Sequence, residues 1–479
     1  MSTGRMESET FSSVDAAWLH MDTPTNLAII TGVITFDRLI DFERLKATFE
    51  RRLLIHARFK QRARESERAI GLPRWETDPD FDLDYHFKRI SLPEPADHNA
   101  LQDLVSELMG LPLDLSRPLW QFQYVDNYQE GCALICRLHH CIADGLALIQ
   151  LLLATTDEDI DVPWLEPVEE VEHDLSRLER LLQSGANAAM SVGKSCHIVR
   201  GLAHEGIETL VHPWRLINLA KLGISATRAT GKLLLIGPDQ NTSLRGKCGV
   251  SKRAVWSKAI DLDDIKGIGR LMGSTVNDIL LAAVTGALRR YLESRGEMVE
   301  GLNIRTIVPV NLRPPEDLDL MGNRFGLVFL SLPIGVRDPL KRLVVLRKRM
   351  NAIKDSPEAV VAFGILGAIG LTPDQIEDII IAIFGIKGTA VMTNVPGPRQ
   401  PLYMAGGKID SLMFWVPTPA NLGLGVSIVS YAGQVILGVA TDESIIPDPE
   451  AILESFYDEL SYLKQWGRPS QIRKSEVKS

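Results

Sequence analysis

Two adjacent histidines, an aspartate and a glycine are the residues best suited to do chemistry in this chain. They are His139, His140, Asp144 and Gly145, in the stretch RLHHCIADG. Burial disfavours the charged form of histidine, so an imidazole at the edge of the core stays neutral and can accept a proton. A carboxylate nearby can brace the loop, and a glycine lets the next helix start close to the strand. These four residues are therefore the candidate catalytic residues, with a histidine as the proton acceptor and the aspartate and glycine shaping the loop beside it.

The two histidines are expected to face different surroundings. GCALICRLHH has the apolar composition of a buried strand, and ALIQLLLATT then begins a helix. Neighbouring side chains on a strand point to opposite faces. His140 would then continue the apolar row of Leu134, Cys136 and Leu138, at the wall of a pocket or channel. Asp144 could hydrogen-bond locally or pair with a distant arginine, without touching substrate.

Other interpretations of this group stay open at this point. A metal site needs converging ligands, whereas neighbouring strand residues diverge, and the sequence has neither HExxH nor paired CxxC motifs. A nucleophilic Cys141 beside His140 meets the same geometric objection. The histidines could also be purely structural. All ten histidines lie at or before His212, so a histidine base must come from the first half of the chain.

The predicted elements around the histidines alternate between strands and helices. In the first half, we predict a strand over 27–37 and an amphipathic helix over 41–56. In the second half, we predict strands over 253–262 and 303–314 and a hairpin over 423–442 that turns at YAGQ.

A strong helical pattern covers 275–296. Asn277 or Asp278 is expected to cap its start, and Gly296 to end it. Its inward face would carry Leu280, Val284, Ala287 and Leu288.

A stretch with helical pattern and few strand signals, from about 171 to 240, separates the two halves. We predict an N-terminal domain at 1–170 that carries the histidines, a helical linker at 171–245 and a C-terminal domain at 246–479. The fold class is α/β, or α+β, with strands and helices alternating in both halves. A chain of 479 residues is long enough for two such cores.

Composition excludes several classes of protein. Charged residues make up 24% of the chain, and the net charge of −9 without a large basic block argues against nucleic acid as a partner. The polar N-terminus MSTGRMESET is unlike a signal peptide. The odd number of cysteines predicts reduced thiols and a cytoplasmic protein. The five cysteines are Cys132, Cys136, Cys141, Cys196 and Cys248.

Apolar segments raise the question of a membrane. The stretches 359–371 and 379–386 fall short of the roughly 20 residues that cross a bilayer. They could be buried core, lie in a membrane surface or line an apolar tunnel. HPWRLINLAKLG at 212–223 has the composition of an interfacial helix, although it could also pack at the domain junction. We predict peripheral association with a membrane or lipid-droplet surface.

Several motifs together resemble one protein family. HHCIADG resembles HHxxxDG, the signature of CoA-dependent acyltransferases related to chloramphenicol acetyltransferase and to peptide-synthetase condensation domains. RPLW, TVNDILLAAVTGALRRYL, MTNVPGP and RWETDPDFDLDYHFKRISLP resemble segments of the bacterial wax ester synthase/diacylglycerol acyltransferase family. The similarity runs in the family's order from about residue 12 to 465.

This resemblance implies two chloramphenicol acetyltransferase-like domains, each with a mixed sheet flanked by helices, and an active site in a channel between them. It implies an O-acyltransferase that moves a fatty acyl group from acyl-CoA to a long-chain alcohol or diacylglycerol. His140 would be the general base, and no metal or other cofactor would be needed. Arg313 is the first candidate to pair with Asp144, and Arg58 the second.

The remaining motifs supply candidate substrate-binding residues. These are Pro118, Leu119, Trp120, Asn277, Asp278 and Asn394. The first three could line the pocket or simply start a core strand. Asn277 and Asp278, at the start of the predicted helix, could bind substrate or only cap the helix. Asn394 lies in a segment with turn composition and could hydrogen-bond near the acyl carbonyl.

The opening segment departs from the family pattern. SSVDAAWLHMDTPTNLAI lacks an early proline and carries Trp18 where phenylalanine is common. We expect this departure to affect acyl-chain or alcohol preference and not the reaction. Two other functions stay open: amide formation, as in condensation domains, and lipid binding without catalysis. An intact HHxxxDG motif argues against the second of these, because an inactive homologue has no physical need for His140.

Overall fold

The structure is a computed structural model that describes residues 9–66, 71–160, 236–312, 323–354, 356, 358–369 and 385–466. Most of the predicted helical linker, the predicted interfacial stretch at 212–223, Cys196 and Arg313 lie outside these residues.

The first part of the chain contains the elements predicted around the histidines. Its strands are β1 (Glu9–Thr10), β2 (Ile29–Phe36), β3 (Gln61–Arg64), β4 (Arg74–Thr77), β5 (Phe87–Ile90), β6 (Trp120–Val125) and β7 (Cys132–His139). Its helices are α1 (Ser13–His20), α2 (Phe42–Arg52), α3 (Leu83–His86), α4 (His98–Met109) and α5 (Gly145–Thr155), with a 3-10 turn at Ala57–Lys60. The predicted strands that became β2 and β7 are confirmed, as are the helices α2 and α5.

The second part again mixes strands and helices. Its strands are β8 (Lys252–Trp256), β9 (Ile260–Asp261), β10 (Ile304–Asn311), β11 (Phe325–Leu332), β12 (Ala390–Pro396), β13 (Tyr403–Met404), β14 (Gly407–Trp415), β15 (Leu424–Tyr431) and β16 (Gln434–Asp442). Its helices are α6 (Leu262–Met272), α7 (Val276–Ser294), α8 (Pro339–Lys354), α9 (Glu358–Ile369) and α10 (Pro449–Trp466). The predicted hairpin is confirmed as β15 and β16, with positive φ at Ala432 and Gly433 in its turn. The strand predicted over 253–262 is divided into β8 and β9.

Two large mixed sheets organise the described residues. One has six strands in the order β13-β14-β2-β7-β6-β5. The other has seven strands, in the order β11-β10-β12-β15-β16-β8 with β9 beside β16. Each sheet contains parallel pairs, β5 with β6 in the first and β12 with both β10 and β15 in the second. A smaller sheet, β1-β4-β3, is hydrogen-bonded to neither of them. The mixed α/β fold class is therefore as predicted.

Strands from the second part of the chain complete the six-stranded sheet. β14 pairs with β2 along its length, so that Met413 lies opposite Val33 and Phe414 opposite Gly32. This pairing covers an edge of β2 that would otherwise expose unpaired backbone groups. Residues 403–415 thus lie within the sheet that carries the histidines, and contiguous boundaries at 170 and 245 do not separate the two sheets.

Helix α7 is the central helix of the second core. The four residues predicted to face inward are all buried, and Gly296 follows the helix with φ of 78°. The predicted cap is wrong, because the N-cap is Thr275. The Thr275 hydroxyl accepts the Asp278 N–H at 3.2 Å, and the Asp278 carboxylate accepts the Thr275 N–H at 3.0 Å. This reciprocal capping box places Asn277 and Asp278 in the first turn of the helix.

The first apolar stretch forms α9, which packs against β11 and α1. Ala359 and Ala362 of this helix are buried. Among the described helices, none alone is long and apolar enough to cross a bilayer; α6 and α7 reach that length only together, and they meet at 96°.

Candidate active site

The two histidines lie where β7 ends and the chain turns towards α5. The His139 N–H donates to the carbonyl oxygen of Leu119 at 2.9 Å, and the His140 N–H donates to that of Ala28 at 2.8 Å. Both side chains are buried, with exposed fractions of 1% and 4%. The turn is therefore held by backbone hydrogen bonds from both sides, and the two rings have different neighbours, as predicted.

His139 is built into the turn itself. Its Nδ1 accepts the N–H of Cys141 at 3.2 Å, so the neutral ring carries its hydrogen on Nε2, which lies 3.8 Å from Asp22 Oδ2. Burial lowers the pKa of His139 to about 3. A neutral ring that accepts a backbone N–H has a structural role, and it orients the segment that follows.

His140 is enclosed by aromatic rings from two distant parts of the chain. Its imidazole stacks on the indole of Trp18 with 4.0 Å between centroids and 14° between planes, and the ring of Phe325 lies 5.5 Å away. Burial lowers the pKa of His140 to about 4, although the nearby charge of Asp144 acts in the opposite direction. The imidazole is neutral at physiological pH, which is the form a general base requires.

Asp144 is the N-cap of α5. One carboxylate oxygen accepts the N–H of Ala147 at 3.0 Å, and the other accepts the N–H of Arg324 at 3.0 Å. The predicted local hydrogen bond is therefore present, and the carboxylate also joins α5 to the second part of the chain. Of the two arginines proposed as partners, Arg313 lies outside the described residues and Arg58 pairs with Glu9 at 3.0 Å.

Gly145 has a different role from the predicted one. A Cβ atom at this position would meet no atom within 4 Å, so close packing of helix on strand does not require glycine here. Gly145 instead lines an open cavity. The prediction of a tight approach is wrong, because α5 starts beside empty space and not against β7.

The cavity lies between the six-stranded sheet and the helices α2 and α5. It has a volume of about 900 Å³ with its open mouth included, and its lining is almost entirely apolar. Its lining includes Ile30, Gly32, Ile34, Phe49, Leu53, Phe122, Cys136, Leu138, Gly145, Leu148, Leu152, Val395, Gly397, Pro398 and Met413. The row predicted to face a pocket therefore does so at Cys136 and Leu138. Leu138 and Gly145, which flank the histidine turn in sequence, both line the cavity, whereas Leu134 and His140 of the predicted row do not.

Asn323 connects the histidine turn to the second part of the chain. Its Nδ2 donates to the carbonyl oxygen of His140 at 2.8 Å and to Asp15 Oδ1 at 2.7 Å. Asn323 and Asp15 are buried, and burial raises the pKa of the Asp15 carboxyl. Sequence analysis missed both residues, because no spacing along the chain relates positions 15, 140 and 323.

The PLW residues lie in the core and not in the cavity lining. Pro118, Leu119 and Trp120 are buried at the start of β6. The Trp120 indole donates to the carbonyl oxygen of Phe59 at 2.9 Å and stacks on His86 at 4.6 Å. Of the two predicted roles, the start of a core strand is the one that the structure supports.

The ND and NVPGP motifs meet in space. Asn394 Nδ2 donates to Asn277 Oδ1 at 2.7 Å, and Val395, which follows Asn394, lines the cavity. Asn277 is buried, and its Nδ2 has no hydrogen-bond partner among the described residues. Asp278 is occupied by the capping box of α7. Of this pair, Asn277 is therefore the one with a free donor.

Cys141 does not offer a reactive thiolate. The side chain is fully buried, and burial raises the pKa of its thiol well above the usual value. A thiol nucleophile needs a lowered pKa and access to substrate. Among the described cysteines, none forms a disulfide.

Comparison with known proteins adds the family. Residues 11–280 match the wax ester synthase/diacylglycerol acyltransferase catalytic domain, and residues 321–464 match the WS/DGAT C-terminal domain. A Mycobacterium tuberculosis protein whose name assigns it as a diacylglycerol O-acyltransferase, tgs1, is 28% identical over 462 residues, which cover 94% of this chain and 95% of that protein. A related Mycobacterium bovis protein, Mb3761c, is 29% identical over 430 residues, which cover 87% and 90%.

Solved structures share the fold. The wax ester synthase/diacylglycerol acyltransferase from Marinobacter aquaeolei VT8 superposes with a TM-score of 0.66 at 21% identity, over 96% of this chain and 99% of that one. The first condensation domain of the calcium-dependent antibiotic synthetase gives 0.58 at 13% identity, over 97% of each chain. The two-domain acyltransferase fold implied by the motifs is confirmed. With more than half of its length matched by the catalytic domain alone, the chain belongs to the wax ester synthase/diacylglycerol acyltransferase family.

Proposed function

We propose that this acyltransferase moves a fatty acyl group from acyl-CoA to the hydroxyl of a long-chain alcohol or a diacylglycerol, with His140 as the general base. The observation that carries the proposal is a buried, neutral imidazole in the turn between Leu138 and Gly145, two residues that line a large apolar cavity. General bases need a deprotonated ring within reach of the substrate hydroxyl. Apolar cavities suit acyl chains, because each buried methylene contributes about 0.8 kcal/mol.

The proposed reaction proceeds in two steps. A ring nitrogen of His140 takes the hydroxyl proton while the alcohol oxygen attacks the thioester carbonyl, which gives a tetrahedral oxyanion and an imidazolium. The oxyanion then collapses, the carbon–sulfur bond breaks, and the departing thiolate takes the proton from the imidazolium. Ester and free CoA result, the imidazole is neutral again, and no metal or prosthetic group takes part.

The two asparagines that meet beside the cavity are proposed to bind near the acyl carbonyl. Asn277 has a buried Nδ2 without a partner among the described residues, and Asn394 holds the other end of that amide. A fixed, desolvated amide donor is suited to an oxyanion. Pro118, Leu119, Trp120 and Asp278 are proposed to act through the fold, since their contacts are within the core or the helix cap.

The test is acyl transfer by the purified full-length protein. Palmitoyl-CoA is supplied with hexadecanol, with dipalmitoylglycerol or with hexadecylamine, and free thiol and product are measured. Thiol release that depends on an alcohol acceptor, with ester as product, is expected. Amide formation without ester would favour condensation-like chemistry, and acceptor-independent binding without thiol release would favour a lipid-binding protein.

The role of the base is tested by His140→Ala. The rate is expected to fall by roughly 10²–10⁴, the usual contribution of a positioned base. His98→Ala is the matched control, because His98 bonds Gln102 and Tyr128 away from the motif. A His140→Ala variant with wild-type turnover would contradict the assignment.

We also propose a peripheral, cytoplasmic association with membranes or lipid droplets. Both substrates are amphiphiles and the product is insoluble, so the mouth of the site must meet a lipid surface. The net charge of −9 works against binding to anionic lipid, so apolar area or local basic patches must provide the attraction. Flotation with liposomes is expected for the wild type and less for Trp214→Glu and Ile217→Glu; failure of the wild type to float would contradict the proposal.

A further inference from the structure

The indole of Trp18 and the imidazole of His140 form a nearly parallel stack. Their centroids are 4.0 Å apart and their planes differ by 14°. In this arrangement the indole covers a face of the imidazole and not its edge, which carries both nitrogens; Nδ1 is buried without a hydrogen-bond partner among the described residues. Phe325 lies at 5.5 Å from the same imidazole but is tilted by 50°, so it packs against the ring without covering its face.

Packing alone does not account for a tryptophan at this position. Trp18 is 4% exposed, and its Nε1 is buried without a hydrogen-bond partner among the described residues. Buried indole N–H groups usually find an acceptor, and one left unpaired is destabilising. A phenylalanine would fill much of the same apolar space without that donor. Trp75 and Trp415 also bury an Nε1 without a partner among the described residues, so what distinguishes Trp18 is its stack on His140.

The charged state of His140 needs a stabilising neighbour. When the ring takes a proton from substrate it becomes a cation in a buried site, which is unfavourable without compensation. The titratable groups that face it are His139 in the turn, Asp144 at the start of α5 and, through Asn323, Asp15 in α1. The charge of Asp144 favours the imidazolium, although both of its oxygens already accept backbone hydrogen bonds. His139, if charged, would oppose the cation.

We propose that Trp18 is the positioning residue of the base, and that its indole face holds the imidazole plane and stabilises the imidazolium formed during acyl transfer. The inference rests on the proposed role of His140. Aromatic faces attract cations, tryptophan more strongly than phenylalanine, and the attraction grows when the pair is desolvated. Trp18 thus acts on the reaction through His140, whereas the sequence alone predicts that it affects acyl-chain or alcohol preference and not the reaction.

The test compares Trp18→Phe and Trp18→Leu with the wild type. Both kcat and KM are measured across pH, together with thermal unfolding. In Trp18→Leu, kcat is expected to fall about tenfold to thirtyfold with KM little changed, the loss expected for a desolvated cation–π contact. In Trp18→Phe, kcat is expected to fall severalfold while the unfolding temperature stays equal or rises, because the unpaired N–H is gone.

The pH profile separates this role from simple packing. Loss of the aromatic face disfavours the imidazolium, so the acid limb of kcat/KM should move to lower pH, further in Trp18→Leu than in Trp18→Phe. Loosened packing would admit water and move that limb to higher pH. Phe325→Leu is the matched control, because it loosens the packing around His140 but keeps the stack of Trp18 on the imidazole. The acid limb of its kcat/KM profile should stay in place or move to higher pH.

The outcomes are decisive in both directions. The proposal would be overturned if the acid limb of the kcat/KM profile of Trp18→Leu moved to higher pH or did not move. Equal loss of kcat in both Trp18 variants would also overturn it. If Trp18→Leu does not fold, the direction in which the acid limb of kcat/KM moves in Trp18→Phe tests the proposal by itself. A wild type without acyl transfer, or a His140→Gln variant with an undiminished rate, would instead overturn the proposed function, and each is measured without any Trp18 variant.

Discussion

The side-chain amide of Asn323 donates a hydrogen bond to the backbone carbonyl of His140 at 2.8 Å. The same nitrogen bonds Asp15 at 2.7 Å, so one buried amide joins α1, the histidine turn and the segment before β11. Arg324, the next residue, donates its backbone N–H to Asp144. Two consecutive residues of the second part of the chain thus hold the HHxxxDG motif, one at the backbone of His140 and the other at the side chain of Asp144.

Asn323→Ala is expected to lower both stability and rate. The change removes hydrogen bonds to a carbonyl and to a buried carboxylate, and we expect a loss of about 2–4 kcal/mol in the free energy of unfolding. Urea denaturation measures this loss, and kcat measures the effect on His140. Asn303→Ala is the control, because Asn303 is half-buried and bonds Gly301 and Arg349, away from the histidine turn. A variant with unchanged stability would show that this amide does not hold the turn.

Stability is expected to fall as the pH is lowered from about 6.5 towards 4. Burial lowers the pKa of His140 to about 4 and that of His139 to about 3, below the usual value of 6.5. In this pH window the two histidines bind protons in the unfolded chain but not in the folded protein. Each of them therefore lowers the free energy of unfolding by about 1.4 kcal/mol per pH unit. Denaturant titrations at several pH values measure the slope. The dependence of stability on pH should be shallower in His140→Gln. A slope equal to that of the wild type would contradict a lowered pKa for His140.

Asp144→Asn is expected to be milder than Asp144→Ala. Asparagine is itself a good N-cap, so the bond to Ala147 can persist, but an amide group that replaces the second oxygen faces the Arg324 N–H less favourably. We expect a loss of about 1–2 kcal/mol for asparagine and more for alanine. Thermal unfolding gives the order of the two variants. An Asp144→Asn protein of wild-type stability that lacks activity would assign the carboxylate a direct chemical role.

Gly32→Val is expected to change acyl-chain preference. Gly32 lines the cavity in the middle of β2, and a Cβ there would lie 3.6 Å from Met413 O and Phe414 Cβ, which is ordinary contact. The variant should therefore fold, while its side chain occupies cavity space. Turnover should fall more with palmitoyl-CoA than with octanoyl-CoA, and Gly32→Ala should lie between. A uniform loss across chain lengths would show that this part of the cavity does not hold the acyl chain.

The sequence by itself determined the local elements and the chemistry-bearing motif. Apolar composition identified β2 and β7, apolar residues at helical spacing identified α2 and α7, and α5 was predicted as the helix that follows β7. The order of residues in HHCIADG and its companion segments was enough to indicate the family. Even local inference failed where two solutions compete: Thr275 caps α7 in place of Asn277, because the capping box satisfies two backbone donors at once.

Only the tertiary structure decided what surrounds the base. Trp18, Asn323 and His140 are far apart in sequence, and no periodic pattern relates them. The same holds for β14, which joins the sheet of β2 from residues 407–415, and for the cavity, whose lining comes from both parts of the chain. Sequence patterns report which face of an element is buried. Which distant side chain meets that face depends on how the elements pack, and packing joins residues without regard to their separation along the chain.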